Sequence, residues 1–166
     1  KVSVNKSIIN GCSGDMFAYK ESTVAQIPVT EITNSTLIKP QGRIFYAGNA
    51  ASFSIDYCTM YGWGGSKAML ELGDKNTLGM SLAIKNTILA NGGSNRKAHN
   101  ANAAANLSLT IEKVYGTNDM TFHSTLGDVT KYDKPSTEVF ENPEEGNFKI
   151  IDALFPSSIG DPRWTE

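Results

Sequence analysis

The strongest constraint on this chain of 166 residues is the spacing of its apolar side chains. In ASFSIDYC, Phe53, Ile55 and Tyr57 alternate with Ser52, Ser54 and Asp56. In NLSLTIEKVYG, Leu107, Leu109 and Ile111 share one face, and in KVSVNKSII, Val2, Val4 and Ile8 sit on even positions between polar residues. A period of two puts apolar groups on one side of a pleated backbone, so each run predicts a half-buried β-strand. The runs are short, and Asn10-Gly11, Pro40-Gln41-Gly42 and Gly73-Asp74 punctuate them with turn signals. Residues 24–38 read as edge strands broken by Pro28 and Asn34, MSLAIKN alternates again, MTFHSTLG is a weaker strand, and FKIIDALF resumes the β pattern. Eight or so short strands joined by polar turns predict an all-β sandwich or barrel, one domain spanning residues 1–166. Neither a heptad pattern nor an internal repeat at a solenoid period is expected.

Composition bears on where such a domain works. Apolar residues make up 40% and charged residues 19%, and the balance lies in Asn, Ser, Thr and Gly, which favours an extracellular β-rich surface. A net charge of −2 gives no basic excess for nucleic acid. No apolar run is long enough for a membrane-spanning helix. The start at Lys1 fits a mature secreted protein or a trimmed one. Asn5, Asn34 and Asn106 head sequons that could carry glycans. Cys12 follows the first strand and Cys58 closes another, which suggests a staple between them in an oxidising compartment; the alternative is two free buried thiols. A Cys12–Cys58 bond would close a loop of about 47 residues and stabilise the chain by roughly 4 kcal/mol.

Catalytic patterns are sparse. His99 and Arg96 fall in NGGSNRKAHNANAAAN, a low-complexity stretch expected to be an exposed loop, and His123 falls in a weak strand. No zinc-protease, nucleophile-elbow, phosphate-loop or paired-cysteine motif occurs. Asp15, Asp74, Asp119 and Asp128 stand in turn contexts, where an aspartate ordinarily bonds neighbouring backbone. The expectation is therefore a protein that is not an enzyme and holds no cofactor or metal. The aromatic group Tyr57, Tyr61 and Trp63 in IDYCTMYGWGG is the candidate ligand site, because exposed aromatics stack on sugar rings. Trp63 lies among Gly62, Gly64 and Gly65, outside any strand; its alternative role is a lid folded over the core.

KVSVNKSIINGC resembles the first strand and first cysteine of chaperone–usher fimbrial subunits, and FSIDYC resembles the strand that ends at their second. NTLGMSLAIKN and NLSLTIEKVYGTN resemble the stretch and core strand that follow, so the likeness runs over residues 1 to about 118. The resemblance implies an immunoglobulin-like β-sandwich, incomplete by one strand and held by a Cys12–Cys58 disulfide. It implies assembly by donor-strand complementation, with a periplasmic chaperone, an usher and neighbouring fimbrial subunits as partners. It also implies a secreted pilus subunit or adhesin that attaches to a glycan or host receptor. The alternative is a stand-alone carbohydrate- or receptor-binding sandwich with Tyr57, Tyr61 and Trp63 at its site.

Overall fold

The computed structural model describes residues 1–20, 27–48, 50–73, 79–102 and 107–165. Val24, Asp74 and Asn106, expected in a strand, a turn and a sequon, lie outside them. The strands stack in levels. The first level holds β1 (Val2–Asn5), β2 (Ile8–Asn10) and β3 (Phe17–Tyr19); the second holds β4 (Val29–Thr33), β5 (Thr36–Ile38) and β6 (Phe45–Ala47). The third holds β7 (Ser52–Asp56), β8 (Thr59–Tyr61) and β9 (Leu70–Leu72). Then come β10 (Met80–Lys85) with β11 (Ile88–Ala90), and β12 (Leu107–Glu112) with β13 (Tyr115–Gly116). Each strand pairs in parallel with its equivalent one level away, giving a first sheet β1-β4-β7-β10-β12 and a third sheet β3-β6-β9. The second sheet, β2-β5-β8-β11-β13, gains β14 (Thr130–Lys131) at its end.

The chain is thus a parallel β-solenoid of about four turns, not an immunoglobulin-like sandwich. Alternation along a strand is the same whether its partner runs parallel or antiparallel, so the local pattern could not tell the two apart. A solenoid repeat is present after all. Val4, Ile32, Ile55, Ile84 and Ile111 stack in one column, separated by 28, 23, 29 and 27 residues. Unequal steps hide the period from a search at fixed spacing.

Corners repeat as faithfully as strands. Lys6, Asn34, Tyr57, Asn86 and Lys113 follow the first-sheet strands, and all have φ between 43° and 52°. Gly11, Lys39, Gly62 and Asn91 follow the second-sheet strands, again in the left-handed region. The run expected from residue 1 to 9 as one strand therefore bends at Lys6 into β1 and β2. At the first four levels the residue after the first corner is Ser7, Ser35, Cys58 and Thr87 in turn; at the fifth it is Val114. Each of the first four side chains donates to the carbonyl two residues back: Ser7 Oγ to Asn5 at 3.0 Å, Ser35 Oγ to Thr33 at 2.6 Å, Cys58 Sγ to Asp56 at 3.3 Å, and Thr87 Oγ1 to Lys85 at 2.6 Å.

Cys58 is thus the sulfur rung of a hydroxyl ladder, fully buried and unbonded, and Cys12 is also a free thiol. The expected disulfide is absent for a geometric reason. Cys12 lies on the first level, beyond the second corner, whereas Cys58 lies two levels away beyond the first corner. Two levels alone separate them by about 9.6 Å along the axis, more than a disulfide spans between Cα atoms.

Two cores result. Inside the solenoid, Ile32, Phe45, Phe53, Ile55, Met60, Trp63 and Leu82 are fully buried or nearly so, with the Phe45 and Phe53 rings stacked at 4.4 Å. The outer face of the first sheet is polar but for one small methyl group, with Ser3, Glu31, Ser54 and Thr110 in one column around Ala83. The outer face of the second sheet is apolar and covered by the chain's own last segment. That segment contains α1 (Ser136–Val139), the antiparallel pair β15 (Phe140–Asn142) and β16 (Asn147–Ile150), the latter within the expected β run FKIIDALF, and short 3-10 turns. Val139, Phe140, Phe148, Phe155 and Ile159 pack against Ile38, Tyr61, Ile88 and Ala90. Thr36 Oγ1 donates to the buried carboxylate of Asp161 at 2.7 Å and accepts from Trp164 Nε1 at 2.7 Å, which bolts the tail down.

Candidate functional site

The three aromatics expected to form a site stand on three different faces. Tyr57 is a left-handed corner residue, 38% exposed. Tyr61 points out of the second sheet and is buried under the last segment, where its hydroxyl donates to Glu144 Oε1 at 2.5 Å and accepts from Asn91 Nδ2 at 2.7 Å. Burial, and then the Glu144 carboxylate, push that hydroxyl up to about 12, so it stays a donor. Trp63 turns inward and is wholly buried in the solenoid core. The fold does not bring them together.

The loop that carries Trp63 nevertheless lines a cleft through the residues after it. Gly62 and Asn91, stacked at the second corner, each turn the chain out of the second sheet and into a Gly-Gly-Ser run. Gly64-Gly65-Ser66-Lys67 on one level and Gly92-Gly93-Ser94-Asn95-Arg96-Lys97 on the next lie side by side, tied by the Gly93 N–H to the Trp63 carbonyl at 2.9 Å. Residues 91–102 are therefore not a loose exposed loop. The Arg96 backbone bridges Phe122, the Lys97 carbonyl accepts from Met69 N at 3.0 Å, and His99 bridges Leu70. Arg96 acts as a strut: Nη1 donates to Gly64 O at 2.8 Å and to Gly65 O, and Nη2 to Ser94 O at 3.0 Å. Those partners are neutral carbonyls, and burial moves the guanidinium down from its ordinary value.

Ser66, Lys67, Ser94, Asn95, Arg96 and Lys97 enclose about 290 Å³. Lys67 is 3.9 Å from Glu71, a carboxylate that Arg43 also engages at 3.3 Å. Among the described residues neither Arg96 nor Lys97 forms an ion pair. The cleft thus presents three cations, two hydroxyls and an amide against one shared carboxylate. Two other clefts lack this excess. One pairs Arg163 with Asp161 at 3.5 Å beside Lys6 and Asn34, and the other sets Lys131 beside Asp133. Charge makes the Gly-Gly-Ser cleft the candidate site. The sequence carries a signal for it, the Gly-Gly-Ser run followed by basic residues at two places.

The remaining polar candidates serve the scaffold. His99 Nδ1 is 2.9 Å from the Asn100 carbonyl, and His123 caps the turn Ser124–Leu126 by accepting from Thr125 N at 3.2 Å. Asp15 receives two bonds from Arg43, which hold its carboxyl below the usual range. Asp119 accepts from Ser136 N at 3.0 Å and from the Ser136 and Thr117 hydroxyls. Burial pushes its carboxyl up, but those hydrogen bonds together outweigh it and leave it lowered. No group of three or more metal-ligating side chains occurs among the described residues.

A family model described as "Domain of unknown function (DUF5123)" matches residues 53–164, from the third-level strand β7 to the end of the tail. Neither a curated protein nor a solved structure matched.

Proposed function

The chain belongs to the DUF5123 family of domains of unknown function, and from its geometry we propose a secreted, non-catalytic module that binds an acidic polysaccharide in the Gly-Gly-Ser cleft. One observation carries the reading: two successive turns place Lys67, Arg96 and Lys97 around one small polar cleft, with Glu71 the sole compensating carboxylate among the ion pairs described there. Uronate carboxylates or sulfate esters supply the missing negative charge, and charge-assisted hydrogen bonds are stronger than neutral ones. Ser66, Ser94 and Asn95 offer donors and acceptors to ring hydroxyls. The volume suits about one or two sugar units at a time, with the rest of a polymer running over the surface. The donor-strand mechanism of fimbrial subunits is not carried forward, because a parallel solenoid has no incomplete-sandwich groove for it to fill.

The test is a titration with polygalacturonate and, in parallel, with a neutral galactan. Acidic polymer binds, neutral polymer does not, and affinity falls as salt rises through the range where exposed charges are screened. Lys97→Glu weakens binding by about tenfold or more, equivalent to about 1.4 kcal/mol, while Lys131→Glu in another cleft leaves it unchanged. Equal binding of both polymers, or no effect of Lys97→Glu, defeats the reading.

A further inference from the structure

Both Gly-Gly-Ser loops spring from the second corner, and a single carboxylate of the tail touches that corner on three levels. Glu144 Oε1 accepts from the Tyr61 hydroxyl of the third level at 2.5 Å and from Asn91 Nδ2 of the fourth at 3.3 Å, and Oε2 lies 3.6 Å from Lys39 Nζ of the second. Asn91 Nδ2 also donates to the Tyr61 oxygen at 2.7 Å, so carboxylate, hydroxyl and amide close a triangle. Asn91 is the root of the fourth-level loop, residues 92–97. The stem of Lys39 packs over Gly62, the root of the other loop, so closely that a Cβ on Gly62 would lie 2.9 Å from Lys39 Cγ.

The tail delivers Glu144 on a stiff mount. It stands in the 3-10 turn Pro143–Glu145, which buried Pro143 opens and Gly146, at φ 82°, closes with its N–H on the Pro143 carbonyl at 3.2 Å. Phe148 seats the hairpin, its ring 5.2 Å from that of Tyr61. Of the two oxygens, Oε1 carries the tie. The Lys39 pair is about half exposed on both sides, and such pairs contribute little. Tyr61 is fully buried, and leaving a buried polar group without its partner is costly. The Asn91 N–H reaches Asp119 Oδ1 only at 3.4 Å, and Gly92 and Gly93 bring no side chain to fix their own path. What holds Asn91 therefore sets the direction in which the loop leaves the sheet.

We propose that Glu144 is a positioning residue for the Gly-Gly-Ser cleft: through Oε1 the docked tail sets where the fourth-level loop leaves the solenoid, and so where Arg96 and Lys97 stand against Lys67. This rests on the acidic-polysaccharide reading of the cleft and adds its control, because the cover over the second sheet and the grip of the cleft are coupled. Such coupling is reciprocal, so a ligand that holds the loop also holds the tail.

The experiment compares the full chain with its Glu144→Ala, Glu144→Gln and Tyr61→Phe variants in two readouts. Without ligand, the amides of Gly93 and Asn95, which bond Trp63 O and Thr121 Oγ1, exchange about fivefold or more faster in Glu144→Ala, while β7 and β10 amides keep the parent's rates. Glu144→Gln retains the Oε1 acceptor, loses only an exposed ion pair and stays within about twofold of the parent. Tyr61→Phe speeds the same amides, and adding Glu144→Ala to it speeds them by no more than about twofold further, because both break one triangle. With polygalacturonate, Glu144→Ala weakens binding by about fivefold and Glu144→Gln does not weaken it. The sign separates positioning from charge: a carboxylate acting only by its field near a basic cleft would, on removal, strengthen binding of an acidic polymer in both variants alike. Unchanged loop exchange in Glu144→Ala, acceleration spread equally over β7 and β10, additive effects in the double variant, or stronger binding by both Glu144 variants overturns the proposal. Faster loop exchange in Glu144→Ala with no polygalacturonate bound by the parent upholds the positioning role and defeats the polysaccharide reading alone.

Discussion

Replacing the cysteines one at a time separates a ladder rung from a staple. Were Cys12 and Cys58 bonded, either replacement would remove the same cross-link, worth roughly 4 kcal/mol for a loop of this size. For a domain of this length that is a fall of about 8–16 °C in Tm. The solenoid predicts unequal and smaller effects. Cys12 is partly exposed and its Sγ lies 3.6 Å from the Gly14 carbonyl, so Cys12→Ala stays within about 0.5 kcal/mol of the parent. Cys58 is buried, donates to the Asp56 and Ile32 carbonyls at 3.3 and 3.5 Å, and stands between Ser35 and Thr87 in the ladder. Cys58→Ser keeps the donor and costs about 1 kcal/mol or less; Cys58→Val keeps the bulk, loses the donor and costs about 1 kcal/mol more than Ser. Burial also pushes the Cys58 thiol up to about 12, so iodoacetamide on the native protein adds to Cys12 alone. Thermal unfolding with and without reductant, with intact mass before and after alkylation, reads all of this. A mass two units light, or equal large losses from both replacements, would refute the reasoning.

Other consequences follow from the tail and its anchors. Thr36→Val strands the Asp161 carboxylate and the Trp164 indole N–H together, costing about 2–4 kcal/mol in denaturant unfolding and shifting tryptophan emission; a loss below about 0.5 kcal/mol would mean the tail is held by its apolar contacts alone. The Asp119 carboxyl is lowered from the ordinary 3.8, so its contribution is present above that value and drains away as pH falls through the lower folded one. Asp119→Asn should therefore flatten the acid limb of the stability curve below about pH 4, and an unaltered limb would count against the Ser136 and Thr117 bonds.

How much of this could be read beforehand varies by element. The alternating runs at Ser52–Asp56, Met80–Lys85 and Leu107–Glu112 were legible because their outer side chains meet water. Thr36–Ile38, Thr59–Tyr61 and Ile88–Ala90 show no alternation because both faces are buried, one in the solenoid and one under the tail. That second burial comes from residues some fifty to more than a hundred positions away and leaves no local trace. Strand pairing was equally hidden, since a three-residue strand does not say which neighbour it joins. The corner signature was in plain view at four of the five levels: an apolar residue, one polar residue, a left-handed Asn, Lys or Tyr, then Ser, Cys or Thr. It needed to be read as a column instead of a row. The candidate cleft was missed for a similar reason, since Lys67 and Lys97 become neighbours only once their Gly-Gly-Ser loops lie on adjacent levels.

The tail that covers the second sheet also sets a timetable. A ribosome delivers Thr36 and Ile38 long before Phe148 and Trp164, the groups that will shield them. Early levels can wind as they emerge, yet their outward apolar surface stays wet until residues 139–164 are made. The cover that makes the early levels soluble thus arrives about a hundred residues after them, and a ribosome that stops before Val139 releases a wound but sticky coil.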